Sequence, residues 1–530
     1  MEVVVSPEVQ RRRWLILGVL CLSVFVIVVD STIVNVALPT LVAQLGATTS
    51  QLQWIVDAYT LVFAGLLLAA GSLGDRFGRK GFLMAGMAVF GLFSGLGAFA
   101  TSPGQLIAAR GFMGIGAALI FPATLAILVN VFREPSERAK AIALWAATSG
   151  LSVALGPVSG GYLLEHFWWG SVLMVNVPIV VGAIVLIAFV VPTSRDTTIA
   201  PFDPLGMMLS IAGITLLVWA VIEGPAHGWL SITSVLAFAG AAAALFAFIQ
   251  VERRSSHPML DVGVFTHARF TAGSVSVTVA FFGLFGFIFM VTQYFQFVRG
   301  YGTLSAGVHT VPFALFTGIA APSSAKLVER FGTKRIVTIG LVMMSFGFFC
   351  SGLLGAESAY GLVVVCMFFM GAGLGLVNAP ATEAIMGSLP PEKAGVGSAV
   401  NDTTRELGGT LGVAVVGSLF SSVYAASFVQ GIRGIPLPAE ALAAAKDSVG
   451  AAVQVARRAG EAAGPQAGAA VKQAVDNAFM DGFRIGSWAA AGVVLLGSVI
   501  AWRFLPARAE AAQHVHANEV GSSTVELQTA

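Results

Sequence analysis

Residues 71–81 read GSLGDRFGRKG, and residues 325–335 read AKLVERFGTKR. Both contain the pattern Leu-x-x-Arg-Phe-Gly-x-Lys, beginning at Leu73 and at Leu327. A chain made of two halves related by duplication would carry such an echo. Each copy sits between long apolar runs, so the repeating unit is a set of apolar helices joined by short charged turns. Parallel repeats of six helices build transporters whose substrate site lies between the halves.

The composition agrees with a lipid-embedded chain. Of 530 residues, 56% are hydrophobic and 11% charged, against about 25% charged in soluble proteins. The mean hydropathy is +0.85. A net charge of +2 is too small an imbalance to point to nucleic acid as a partner. Cys21, Cys350 and Cys366 all lie in apolar runs, and an odd number in such places gives no disulfide framework. Arg11, Arg12 and Arg13 precede an apolar run of about 24 residues, long enough to span a bilayer and expected to be retained rather than cleaved.

Apolar stretches of spanning length recur at about 14–37, 51–72, 82–101, 104–130, 140–163, 171–191, 205–223, 230–250, 270–295, 305–322, 336–354, 360–386, 396–424 and 484–505. Helices are expected, because these runs lack the two-residue alternation of a barrel strand. The expected fold is therefore an all-α integral membrane protein of fourteen spans: a six-helix bundle over 1–191, two inserted spans with inner linkers over 192–269, and a second six-helix bundle over 270–505. Lys and Arg concentrate in alternate short connections: Arg76, Arg79 and Lys80; Arg133, Arg138 and Lys140; Arg253 and Arg254; Lys326, Arg330, Lys334 and Arg335. The opposing loops 101–103, 165–170 and 223–229 carry neither residue. That asymmetry places both termini in the cytoplasm. Residues 425–482 are alanine-rich, and a helical hairpin outside the membrane is expected there, broken around Gly464 and Pro465. It would be a solvated connector or a lid. The polar tail 506–530 is expected to be disordered and cytoplasmic.

Several stretches taken in order carry a resemblance: VDSTIVNVALP (29–39), QWIVDAYTL (53–61), the charged loop at 71–81, RGFMGIGAALIFPATL (110–125), GLSVALGPVSGGYLLE (150–165), PMLDVGVFTHARF (258–270) and NDTTRELGGTLGVAVVG (401–417). The chain resembles the major facilitator superfamily. Within it, the chain resembles the fourteen-helix drug:proton antiporters, the EmrB/QacA-type multidrug efflux transporters. The resemblance implies the superfamily's fold and proton-driven export. It also implies that GSLGDRFGRKG, with Gly71, Asp75, Arg76, Gly78 and Arg79, latches two conformations, and that Gly156, Pro157, Gly160 and Gly161 form a pivot and seal between the halves. In the family, acids on the helix containing 401–417 are associated with cationic substrates. Physical readings stand beside these. The loop's basic residues set topology, Gly71 and Gly74 let the second and third helices approach, and small residues on the fifth helix permit tight packing, with Pro157 removing one backbone hydrogen bond.

Few ionisable residues lie well inside the spans: Asp30, Asp57, Arg110, Asp402, Arg405 and Glu406. A charge at the bilayer centre costs about 2.5–3.5 kcal/mol on insertion scales, so each is a functional candidate. At 1.5 Å per residue, Asp30 lies about 24 Å along its helix, and Asp57 and Arg110 fall roughly 10 Å from the opposite surface, in one layer. Arg110 keeps its proton and needs a partner, which Asp30 or Asp57 could supply. Asp402 and Glu406, four residues apart, share a helix face, and Arg405 is placed to neutralise Asp402. Gln296 is a polar candidate for the substrate or for a helix–helix hydrogen bond.

The reading is a proton-coupled exporter of lipophilic, cationic drugs or toxic compounds, with Asp30, Arg110 and Asp57 handling the proton and Glu406, Asp402 and Gln296 contacting substrate. The alternative is a dedicated exporter of one metabolite, lipid or endogenous antibiotic by the same antiport. No catalytic or metal site is expected: HExxH, GxSxG and GxxxxGK[ST] motifs do not occur. The proton gradient would supply the drive, with no cofactor; each charge crossing 100 mV is worth about 2.3 kcal/mol. The expected partners are small lipophilic or cationic substrates, protons and membrane lipids, with the chain acting as a monomer in the cell membrane.

Overall fold

Long apolar runs closed by glycine or capped by Ser, Thr and Asp produce a structure made of helices. The computed structural model describes residues 7–132, 134–194, 203–255, 262–388 and 394–506. In chain order the α-helices are α1 (Pro7–Leu45), α2 (Thr49–Phe77), α3 (Arg79–Ala98), α4 (Pro103–Val131), α5 (Pro135–His166), α6 (Ser171–Met174), α7 (Asn176–Val190), α8 (Pro204–His227), α9 (Ile232–Arg254), α10 (Ala268–Gln293), α11 (Thr303–Phe331), α12 (Thr333–Ser351), α13 (Tyr360–Met386), α14 (Ala394–Gly431), α15 (Ala439–Asp447), α16 (Val449–Ala463) and α17 (Pro465–Phe504). A π-helical turn, Tyr294–Val298, extends α10. Among the described residues, twelve helical segments are long and apolar enough to cross a membrane. Helices α2 and α5 are of similar length, 29 and 32 residues.

Local chemistry sets the boundaries. Thr48 and Gln51 form a reciprocal capping box at the start of α2. Ser102 caps α4 and Asp203 caps α8, each followed by proline at the first helical position. The echo in the sequence is an echo in the backbone. Gly78, between α2 and α3, has φ 113°, and Gly332, between α11 and α12, has φ 86°. L-residues with side chains avoid that region, which explains a glycine in both copies.

Helix crossings repeat as well. A Cβ on Gly86 of α3 would sit 2.8 Å from the Gly116 carbonyl of α4, and one on Gly340 of α12 would sit 2.7 Å from that of Gly373 in α13. The two pairs are at matching places after the two glycine turns. Helices α1–α5 and α7 pack on one another, as do α10–α14 and α17, and the two sets meet where α5 lies on α11 and α2 on α14. Helix α8 leans on both α2 and α14, and α9 packs on α8. We call the side bearing the Gly78 and Gly332 turns the near face and the side bearing residues 46–48 the far face.

The hairpin at 425–482 differs in one respect from the sequence reading. The chain does break at Gly464, where φ is 93°, but the second arm is not separate: α17 runs from Pro465 without interruption to Phe504. Helices α15 and α16 fold back over the far face. Thr49 of α2 donates to the Asp447 carbonyl at 2.9 Å, and Tyr424 of α14 donates to that of Ala445 at 3.0 Å. Residues 507–530 and part of 258–270 lie outside the described residues.

Candidate functional site

Asp30 is fully buried on α1 and meets the fully buried Arg110 of α4. The Arg110 Nη1 donates to Asp30 Oδ2. Asn176, at the start of α7, donates to the other carboxylate oxygen at 2.9 Å, and also to Ser94 Oγ of α3 at 3.1 Å. Arg110 Nε donates to the Ile55 carbonyl of α2 at 3.0 Å, and the guanidinium carbon lies 4.3 Å from the centre of the Tyr59 ring. Tyr59 in turn donates to the Ile27 carbonyl at 3.2 Å. Five helices thus converge on one ion pair. A buried pair is tolerable only when its remaining donors and acceptors are met, and here Asn176, the Ile55 carbonyl and the Tyr59 face meet most of them. Arg110 Nη2 has no hydrogen-bond partner among the described residues.

The sequence left Arg110 with two possible carboxylates; its partner is Asp30. Asp57 lies elsewhere. On α2, Gln53, Asp57 and Thr60 form one stripe, and Gln53 and Thr60 both bond to α14. Tyr59, which carries Arg110 on its ring, is about 160° around the helix from Asp57 at 3.6 residues per turn. Asp57 is fully buried, and neither of its carboxylate oxygens has a hydrogen-bond partner among the described residues.

A second polar cluster stands on α14. Arg405 Nη1 is 3.8 Å from Asp402 Oδ1, and its Nη2 donates to Asn378 Oδ1 at 3.0 Å and to Thr382 Oγ1 at 3.1 Å, both on α13. The guanidinium carbon is 5.4 Å from the Phe281 ring centre. Asn401 donates to Asp402 at 3.2 Å. Arg405 therefore engages Asp402, as the spacing suggests, but most of its hydrogen bonds go to α13. Glu406 follows Asp402 by one turn on the same helix.

The other expected residues sort by contact. Gln296 donates to the Val36 carbonyl of α1 at 2.9 Å, so it joins α1 to the turn after α10. In α5, Gly156 faces Thr32 and Gly160 faces Ile33, both on α1. A Cβ on Gly161 would sit 2.6 Å from Leu304 Cα and from the Thr303 carbonyl of α11, and Gly307 of α11 presses on the Pro157 carbonyl. Thr303 Oγ1 also donates to the Gly161 carbonyl at 3.1 Å. In the 71–81 loop, Gly74 packs on Phe82 of α3, as expected, whereas Gly71 faces Pro122 of α4. One turn of α2 separates the two glycines, and α2 packs far more on α4 than on α3. Gly78 forms the turn, the Arg79 amide donates to the Ser194 carbonyl at 3.0 Å, and the side chains of Asp75 and Arg76 lie outside the described residues.

Asn176, Ser94 and Tyr59 were not singled out from the sequence. Asn176 was the findable one, as the only amide in the apolar run from Ser171 to Val190.

Comparison with known proteins agrees with this architecture. The chain is 37% identical over 458 residues to the multidrug efflux pump LfrA of Mycolicibacterium smegmatis, covering 85% of this chain and 89% of the relative. It is 36% identical over 500 residues to the methyl viologen resistance protein SmvA of Salmonella typhimurium, covering 93% and 98%. Among solved structures, an inward-facing, unoccupied bacterial homologue of the human lysosomal transporter Spinster superposes with a TM-score of 0.63 at 16% identity, over 95% of this chain and 99% of that one. The model of the Major Facilitator Superfamily matches residues 20–413, well over half of the length, and the chain therefore belongs to that superfamily.

Proposed function

We propose that this chain exports lipophilic, cationic toxic compounds across the cell membrane in exchange for protons. The twelve apolar spans together with α2 and α5 give fourteen, arranged as six-helix bundles over 1–191 and 270–505, with α8 and α9 inserted between them and both termini cytoplasmic. This is the layout that the resemblance to the fourteen-helix antiporters implies. The far face is then the outside. It is the side on which α5 lies on α11 and α2 on α14.

The observation that carries the reading is the buried Asp30–Arg110 pair. A carboxylate held by one arginine inside the membrane can lose its attraction for that arginine by taking up a proton. Five helices sense the change, because α1, α2, α3, α4 and α7 all contribute to the network. Glu406, which no described residue pairs by hydrogen bond or salt bridge, is the acid available to a cationic substrate. Substrate cation and proton then compete for the acids of one central region, which is what exchange requires. Similarity to a multidrug efflux pump and to a methyl viologen resistance protein supports export as the direction and cations as the class.

The test uses purified protein in proteoliposomes. Adding a lipophilic permanent cation should release protons, and Glu406→Gln should weaken export of that cation several-fold while a neutral dye is still carried. Equal losses for both compounds would remove Glu406 from substrate recognition. No proton release for any compound would refute exchange.

A further inference from the structure

The stripe of α2 that faces α14 carries three polar residues in a largely apolar seam. At its far end Gln53 Nε2 donates across the seam to the Ala414 carbonyl at 3.0 Å and to the Val413 carbonyl and Ser418 Oγ at 3.3 Å. At its near end Thr410 Oγ1 donates to Thr60 Oγ1 at 2.9 Å. Asp57 lies between these two rungs, with 0% exposure and neither oxygen partnered among the described residues.

The charged and titratable groups around it are all placed elsewhere. Arg110 of α4 is bound to Asp30 of α1 on the opposite side of α2, with Tyr59 between. Glu223 of α8 accepts from Trp54 at 3.0 Å and has His227 at 3.7 Å. Glu406 of α14 lies one turn to the near side of Thr410, beyond the Thr60–Thr410 rung. Arg79 and Lys80 of α3 are at the near-face end of that helix. None of these forms an ion pair with Asp57.

A carboxylate stripped of water and given no donor is far more costly to bury than the neutral acid. The closed seam thus accommodates Asp57 only with its proton in place. We infer that Asp57 is a proton-operated lock on the α2–α14 seam, loaded and unloaded from the far face alone and separate from the Asp30–Arg110 exchange site. When α2 and α14 part at the far face, water reaches the carboxyl, the O–H bond breaks, and the proton passes to that water. Reclosure requires a proton to return to the same oxygen from the same side. Thr60 gives its own proton to the Asp57 backbone carbonyl, and among the described residues neither carboxylate oxygen is hydrogen-bonded to the Thr60–Thr410 rung, so no hydrogen-bonded path leads from this proton to Glu406 and it is not counted in the exchange. The sign follows directly: the closed seam holds one more proton at Asp57 than the open one, so acid favours closing.

The inference rests on the proton exchange proposed above, and its test separates the two. Spin labels at Tyr162→Cys in α5 and Val308→Cys in α11, both exposed, report far-face separation in the full chain with Cys21, Cys350 and Cys366 replaced by alanine. The short-distance population should grow as pH falls, by up to about tenfold per pH unit for one linked proton. In Asp57→Asn it should dominate at every pH. The response should survive in the Asp30→Asn, Glu406→Gln background, which also decides the matter if Asp57→Asn does not accumulate. An unchanged pH response in Asp57→Asn, or loss of the response in the double background, would overturn the lock. So would fewer protons exchanged per substrate in Asp57→Asn. Proton release on substrate addition, measured separately in vesicles, reports exchange itself, so failure of exchange and failure of the lock are told apart.

Discussion

Two seams join the halves of this molecule, and they are built from opposite materials. Where α5 meets α11, backbone touches backbone: Gly161 against Thr303 and Leu304, Gly307 against the Pro157 carbonyl. Where α2 meets α14, side chains bridge the gap, with Gln53 on Ser418, Thr410 on Thr60, and Asp57 enclosed between. The two glycine turns make these seams counterparts: α2 and α11 each lead into one, and α5 and α14 are each the third helix after it. A glycine seam responds to shape alone. A polar seam can be opened or held by protonation. The difference shows how a duplicated scaffold can keep one hinge mechanical and make the other chemical.

The comparison presupposes that α1, α2 and α4 form a firm body against which α14 moves. Arg110→Ala attacks that body and carries the largest expected effect. It leaves Asp30 buried without its cation, which typically costs about 3–5 kcal/mol. Yield and thermal unfolding in detergent should both fall, and Asp30→Asn combined with Arg110→Gln should recover more of the folded protein than Arg110→Ala alone. Equal stability of Arg110→Ala and the native chain would mean the pair is not structural.

Gly161→Leu tests the mechanical seam. Its Cβ alone would enter the space of Leu304 Cα, and overpacking of this kind costs about 1–3 kcal/mol. Charged to the closed state, that shifts the open-to-closed ratio by roughly 5–150-fold. Spin-label distances across the far face should lengthen without any change in their pH dependence. A changed pH dependence would blur the distinction between the seams.

Thr60→Val is the smallest probe. It removes one neutral hydrogen bond from the polar seam, worth about 1 kcal/mol, and keeps the volume of the side chain. The open-to-closed ratio at the far face should rise by roughly fivefold, with the pH dependence of the native chain retained. Loss of that pH dependence would put the rung, and not Asp57, in control of closure.

Much of this was legible in the residues themselves. The Leu-x-x-Arg-Phe-Gly-x-Lys echo pointed to two matching turns, and Gly78 and Gly332 show why each holds a glycine: both adopt a backbone conformation that L side chains avoid. The break at Gly464 was legible for the same reason. The partner of Arg110 was not, because depth along a helix places Asp30 and Asp57 in one layer and says nothing of azimuth. Only the packing of α2, with Tyr59 toward α4 and Gln53 toward α14, separates the two acids. Asn176 escaped notice because a single amide carries no net charge to stand out against the apolar run around it, and Gln296 turned out to spend its amide on the Val36 carbonyl.

The most direct test of the central claim is uphill export by Asp30→Asn. The variant keeps the shape of the side chain and a hydrogen-bond acceptor for Arg110 while removing the titrating carboxyl. With a pH gradient imposed across proteoliposomes, the native chain should concentrate a lipophilic cation against its gradient. Asp30→Asn should fold and bind the cation but only let it equilibrate. Full uphill export by Asp30→Asn would contradict the account and make the Asp30–Arg110 pair a structural one.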